Sequence, residues 1–150
     1  MREAQAADAQ AMADLHAAAF ERAWSRDVFE AFLAEPTVRA LIAEGGFILW
    51  RAVADEAEIL TLAVAPSMRR RGIARSLLDR SLMMESQSGT ETMFLEVSSQ
   101  NIAAVALYSA ANFVTTGLRR GYYQTFDPPQ DALTMRLALT AASAPPISGD

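Results

Sequence analysis

Between Ala57 and Ser98 the chain changes period twice, from strand to helix and back, and few folds accept that order. Ala57–Ala65 reads as an apolar strand that stops at Pro66, a residue that cannot donate to a sheet ladder. Three consecutive arginines, Arg69, Arg70 and Arg71, then lead to Gly72, where a helical pattern opens. That pattern runs from about Ile73 to Ser86, with Leu77, Leu78 and Leu82 facing inward and Gly89 beyond its end as a stop signal. Thr92–Ser98 is again strand-like. A strand, a helix and a second strand in this order become parallel neighbours joined by a right-handed crossover. A ligand crevice is expected at the carboxyl ends of such a pair.

The flanking segments complete an α+β reading. Residues 8–20 carry Met12, Leu15 and Ala19 at helical spacing, with Asp8 placed to cap the first turn. Ser25 caps a second short helix whose apolar stripe is Val28, Phe29, Phe32 and Leu33, ending before Pro36. Val38–Ala43 and Phe47–Ala54 read as strands joined at Gly45-Gly46, and Asp55-Glu56 marks the next turn. After Ser98 come a helix over Asn101–Ala111 and strands at Phe113–Arg119 and Leu133–Leu139. Residues 1–139 are expected to form one domain, and 140–150, rich in Ala, Pro and Ser, a flexible tail.

Composition narrows the function classes. With 51% hydrophobic residues in 150, the chain has enough material for a sizeable core. A net charge of −5 argues against direct nucleic-acid binding, whose footprint is normally basic. No apolar run reaches the roughly 18 residues that a membrane span needs, and the start of the sequence lacks a signal-peptide-like apolar segment, so a cytoplasmic location is the expectation. The absence of Cys and the single His, His16, argue against a metal site. All thirteen cationic residues are Arg, which excludes a lysine nucleophile or base. Four of them, Arg69, Arg70, Arg71 and Arg75, fall within seven positions, a local concentration that in an acidic protein points to a defined anionic ligand.

The order of strand, basic glycine-containing loop and helix builds a seat for phosphate. The first N–H groups of a helix lack intrahelical partners and carry the positive end of its dipole. The loop is neither a Walker A sequence nor a dinucleotide G-x-G-x-x-G. Downstream, Glu96 stands inside an apolar strand, sharing a face with Phe94 and Ser98. On a cleft wall, burial would raise its pKa and make it a competent base; at a strand edge it would face solvent or pair with Arg. Asn101 and Tyr108 lie seven apart on the next helix, about two turns, and so point the same way. Asn101 is also a good N-cap, and Tyr108 also a plausible core residue.

These residues together resemble a known pattern. Arg69-x-x-Gly72-x-Ala74 is similar to the pyrophosphate loop of the GCN5-related N-acetyltransferases. Glu96-Val97, Asn101, Leu107-Tyr108 and Phe113 resemble the same superfamily's signature. Arg119-Arg120-Gly121-Tyr122-Tyr123, Asp131-Ala132-Leu133-x-Met135 and Trp24-Ser25 resemble more narrowly the RimI-type ribosomal-protein N-alpha-acetyltransferases. The resemblance implies that superfamily's fold, a central mixed and mostly antiparallel sheet flanked by helices. It also implies acetyl-CoA as cosubstrate, with no metal, and as acceptor a protein N-terminus, a ribosomal protein's among the candidates. Leu62, Ala63 and Val64 would offer backbone groups to the acetyl and pantetheine portion. Arg69, Arg70, Arg71, Gly72, Ile73, Ala74 and Arg75 would hold the pyrophosphate, and Asn101 would meet the pantetheine. Glu96 would accept the proton, directly or through water, and Tyr108 would donate one to the departing thiolate. Trp24, Tyr122 and Tyr123 would line the acceptor groove. A relative acting on a small amine, or a catalytically silent acyl-CoA-binding module, are the alternatives.

Two departures from the pattern bear on structure. Asn112 stands where Gly usually precedes Phe113, and Asn is the next-best residue for a left-handed helix end. Gly121 replaces the polar residue usual before the tyrosine pair.

Overall fold

The computed structural model describes residues 1–139, so the expectation for residues 140–150 lies outside the described part. The elements are β1 (Arg2–Glu3), α1 (Ala9–Ala19), α2 (Arg26–Ala34), β2 (Val38–Ala43), β3 (Gly46–Val53), β4 (Glu56–Val64), α3 (Ile73–Gln87), β5 (Thr92–Ser98), α4 (Ile102–Ala110), β6 (Val114–Tyr123) and β7 (Gln130–Ala138). The seven strands form one sheet in the order β1-β2-β3-β4-β5-β7-β6. The β4–β5 pair is parallel, as the strand–helix–strand order requires, and the other pairs are antiparallel.

Local signals account for most boundaries. The Ser25 side chain accepts a hydrogen bond from the Val28 N–H at 3.4 Å, and Asn101 Oδ1 accepts from the Ala104 N–H at 3.2 Å. Asn112 has φ +74°, the left-handed end expected of it, and the following Phe113 N–H returns to the Tyr108 carbonyl. Asp8 behaves differently from expectation. Its carboxylate takes two hydrogen bonds from Arg2 and one from the Gln5 N–H, and so ties down β1 and a single 3-10 turn instead of capping α1. The Arg2 guanidinium holds the Asp8 carboxyl down at about 2.

Hydrophobic cores lie on both faces of the sheet. Ile48 and Trp50 of β3 face α3 and α4, packing with Leu77, Leu78 and Tyr108. Phe47 and Leu49 face α1 and α2, packing with Met12 and Phe29. Phe29 and Phe47, both fully buried, meet edge to face at 5.4 Å. Each such burial is worth about 1.5–3 kcal/mol. A bulge interrupts the β3–β4 ladder: Leu49 pairs with Thr61 but Trp50 with Ile59, leaving Leu60 unpaired. One extra residue reverses the alternation. Ile59 therefore belongs to the core under α3, whereas Ala63, an even number of residues later, belongs to the core under α1.

His16 sits inside the second core with only 4% of its surface exposed. Its Nδ1 accepts the Trp24 N–H at 3.0 Å, and its ring stacks on Trp24 and meets Phe20 at a tilt. Burial lowers its pKa to about 4. Folding thus favours the neutral ring, and this contribution is complete above the unfolded value near 6.5 and is lost as pH falls toward 4. Wild-type stability should fall by about 1–3 kcal/mol more between pH 7 and 4.5 than that of His16→Phe, a neutral ring of similar bulk. Parallel urea titrations of the two proteins at each pH check this.

Candidate active site

The cleft begins where the parallel pair ends. β4 and β5 pair from Glu56 opposite Thr92 to Ile59 opposite Leu95, and no further. Leu60–Val64 and Glu96–Ser98 continue beyond that point without each other, and a cleft opens between them. The bulge at Leu60 coincides with the separation, as a device that bends one strand away from its neighbour would. Asn101 at the N-cap of α4, Ala104 and Tyr108 within it, and Phe20 just after α1 line both halves of this cleft.

One half runs along β4 to the arginine loop. Leu62, Ala63, Val64, Arg69, Arg70 and Ala74 line it. On the side facing β5 the backbone of Leu62–Val64 has no strand partner, which leaves its polar groups for a ligand. Gly72 is the N-cap of α3 with φ +76°, and a side chain there would meet no atom within 4 Å. Glycine thus serves a left-handed turn that also leaves the helix N-terminus uncovered. Arg70 has φ +64°, a conformation that costs a non-glycine residue about 1 kcal/mol or more and recurs at functional loops. Arg69 Nε donates to the Val64 carbonyl at 3.4 Å, tying the loop to the end of β4.

The other half holds the titratable groups. Glu96, Ser98, Tyr108, Tyr123, Phe126 and Gln130 line it. Tyr108 is 6% exposed, its ring edge-to-face with Phe113 at 5.6 Å. Burial pushes its phenol above the ordinary tyrosine range, so the group is protonated at neutral pH and able to donate. No buried side-chain oxygen or nitrogen among the described residues lacks a partner, and Tyr108 makes no side-chain hydrogen bond among them. Its hydroxyl therefore opens onto the cleft. Glu96 projects from the same face as Phe94 and Ser98, opposite Met93, Leu95 and Val97, in the predicted alternation. Its side chain is 32% exposed, with Oε1 3.6 Å from Arg119 Nη2, the partly open and arginine-paired placement that the sequence left beside a buried one. Burial, and then the Glu96 charge, raise the Tyr123 phenol.

This constellation, a basic helix start and a split parallel pair with Glu and Tyr at its mouth, accompanies sequence kinship. The model of the acetyltransferase (GNAT) family matches residues 9–113. This chain belongs to the GNAT acetyltransferase family. It is 33% identical over 121 residues to the ribosomal protein bS18-alanine N-acetyltransferase of Escherichia coli strain K12, covering 78% of this chain and 82% of the relative. It is 37% identical over 141 residues to the N-alpha-acetyltransferase RimI of Mycobacterium tuberculosis, covering 87% and 86%. The crystal structure of the ribosomal-protein-S18-alanine N-acetyltransferase from Escherichia coli superimposes with a TM-score of 0.83 at 29% identity, over 99% of this chain and 96% of that one.

As a GNAT acetyltransferase the chain has the fold expected of it, but not every expected site residue reaches the cleft. Trp24 does not line it: the ring packs against His16, Phe29 and Phe32 and holds the α1–α2 connection in place. Tyr122 and Tyr123 part company. Gly121, with φ +60° and its N–H bound by Asp131 Oδ1, kinks β6; Tyr123 then faces the cleft while Tyr122, 47% exposed, lies beneath the Arg119 guanidinium at 4.9 Å. Arg75 Nε pairs with Asp79 one turn on, Ile73 packs toward the core, and Arg71 is outside the lining set. Phe20, Phe126, Ser98 and Gln130 line the acetyltransferase cleft without having been singled out for it; Ser98 Oγ donates to Gln130 Oε1. Only their place at element ends, the aromatic after an Ala-rich helix and the one in a proline-rich turn, distinguishes the two phenylalanines in sequence.

Arg70→Ala should raise the Kd for acetyl-CoA about tenfold at low salt and by less at high salt, because screening already weakens a phosphate contact there. Arg75→Ala, whose guanidinium is engaged by Asp79, should change it by less than about twofold. Calorimetric titration at two ionic strengths reads both.

Proposed function

We propose that this acetyltransferase moves the acetyl group of acetyl-CoA to the N-terminal α-amine of a protein, with a ribosomal protein as the favoured class of acceptor. The observation that carries the reading is a pair of adjoining cavities that share Phe20, Leu62, Asn101, Ala104 and Tyr108, with Arg69 and Arg70 lining one and Glu96 the other. Kinship agrees: of the relatives named above, one is a ribosomal protein bS18-alanine N-acetyltransferase and the other an N-alpha-acetyltransferase. Acetyl-CoA supplies an activated acyl group on a thiol leaving group. The residues present fit it: the uncovered start of α3 and Arg69–Arg70 suit a pyrophosphate, and the unpartnered edge of Leu62–Val64 suits the amide-bearing pantetheine. The Asn101 amide nitrogen stays free to donate to that chain, since its oxygen is the one engaged in capping α4.

The chain's own groups then handle protons. An α-amine has a pKa of about 7.7–8.0, so a modest base suffices to deliver it neutral. Glu96, open to water and to the cleft, accepts that proton directly or through a water. Tyr108, kept protonated by burial, offers its proton toward the sulfur as the thiol leaves. Phe20, Phe126 and Tyr123 wall the acceptor side with apolar surface, which screens the amine from bulk water.

Acetyl transfer measured on peptides copying protein N-termini, beside free amino acids and a polyamine, tests the reading. Peptides should be acetylated at their α-amine with the higher kcat/KM. Preference for the polyamine, or acetylation at lysine side chains, would overturn it.

A further inference from the structure

Two loops face each other across the acceptor half of the cleft. The α1–α2 loop, residues 20–25, contributes Phe20, and the β6–β7 loop, residues 124–129, contributes Phe126. The loops are bridged by a hydrogen bond spanning 103 residues of sequence: Arg22 Nη2 donates to the Thr125 carbonyl at 2.8 Å. Arg22 has no carboxylate within ion-pair distance among the described residues. The bridge stands where the cleft continues outward into a groove lined by Glu21, Gln100, Thr125, Phe126, Asp127 and Gln130, three of which also line the cleft. At its other end the α1–α2 loop is pinned by the Trp24 N–H on His16 Nδ1. Arg22 is thus the free arm of a loop hinged on the core.

We propose that Arg22 is a positioning residue for the acceptor: its bond to the Thr125 carbonyl sets the spacing of Phe20 and Phe126 and so the width through which the acceptor chain passes. The inference rests on the acceptor reading above and adds to it a residue outside the chemistry. Without the clasp both loops sample wider separations, and the acceptor meets the cost of ordering them when it binds. Relative to the free enzyme that cost is met equally in the acceptor complex and in the transition state, so KM rises and kcat does not.

The experiment compares wild type with Arg22→Ala, Arg22→Lys and, as a charge control, Arg26→Ala, whose guanidinium pairs with Glu30 on the surface of α2. Arg22→Ala should raise the acceptor KM about three- to tenfold, as expected for loss of one charged-donor hydrogen bond at the surface. Its kcat and its Kd for acetyl-CoA should stay within about twofold, and its melting temperature should be unchanged. Arg22→Lys, which keeps one donor at similar reach, should recover part of the loss, and Arg26→Ala should match wild type. An unchanged acceptor KM in Arg22→Ala overturns the proposal, as does a parallel fall in kcat, acetyl-CoA affinity and melting temperature, which marks a structural role. A wild type that acetylates only small amines refutes the peptide reading instead. The clasp is then read from the KM for that amine by the same criteria.

Discussion

Tyr108→Phe is expected to bind acetyl-CoA as wild type does and to lose about 10²–10⁴-fold in turnover. The ring is buried against Phe113 and makes no side-chain hydrogen bond among the described residues, so removing one oxygen leaves the packing of α4 unaltered. What disappears is a proton that burial holds on the phenol well past neutral pH. Because the defect lies in the departure of the thiol, an acyl donor with a more acidic leaving group should narrow it. Steady-state rates with acetyl-CoA, together with a calorimetric Kd, separate the two effects. Wild-type turnover in the Phe variant would return Tyr108 to the core as packing alone.

Glu96→Gln should show a defect that depends on pH. Below the α-amine's own pKa the acceptor arrives protonated, and the loss should reach about 10²-fold or more. Above pH 9 the amine is already neutral, and the loss should shrink to within about tenfold. The sign follows from the role, since a base matters only while there is a proton to take. Arg119 sharpens the test: its guanidinium is 3.6 Å from Glu96 and stacks over Tyr122, so Arg119→Ala should disturb the carboxylate's placement without removing the base. Rates from pH 6 to 9.5 with a peptide acceptor decide the matter. A loss of equal size at every pH would assign Glu96 to orientation and the proton to a water.

Much of this architecture was legible because backbone chemistry announces itself locally. Ser25 and Asn101 cap helices, Asn112 turns left-handed, and the run from Ala57 to Ser98 dictates a parallel pair by its order alone. Glu96 lies on the predicted face because its neighbours alternate cleanly. Other features leave no such mark. The bulge at Leu60 falls in Ile59-Leu60-Thr61-Leu62, where nearly every position is apolar, so a reversal of faces does not change the pattern. β1 is two residues long, too short to show a period. The family resemblance alone puts Trp24 and Tyr122 on the acceptor side, but aromatic rings serve a core or a cation equally well, and here one covers His16 and the other meets Arg119. Arg75 belongs by sequence to the cluster around Gly72, yet one helical turn supplies Asp79, and the nearer partner wins.

The separation of β4 from β5 has a consequence for how such an enzyme can vary over descent. On the proposed reading, recognition along Leu62–Val64 would come from main-chain groups, which every amino acid but proline possesses in full. Side chains there are free to drift so long as their bulk suits the cores on either side. What cannot drift is the count. Removing Leu60 would restore an unbroken ladder with β3 and take away the bend that coincides with the parting of β4 from β5, while the residues after it keep their pairs and faces. A site built on the proposed reading would thus depend on the length of a strand more than on the letters that spell it.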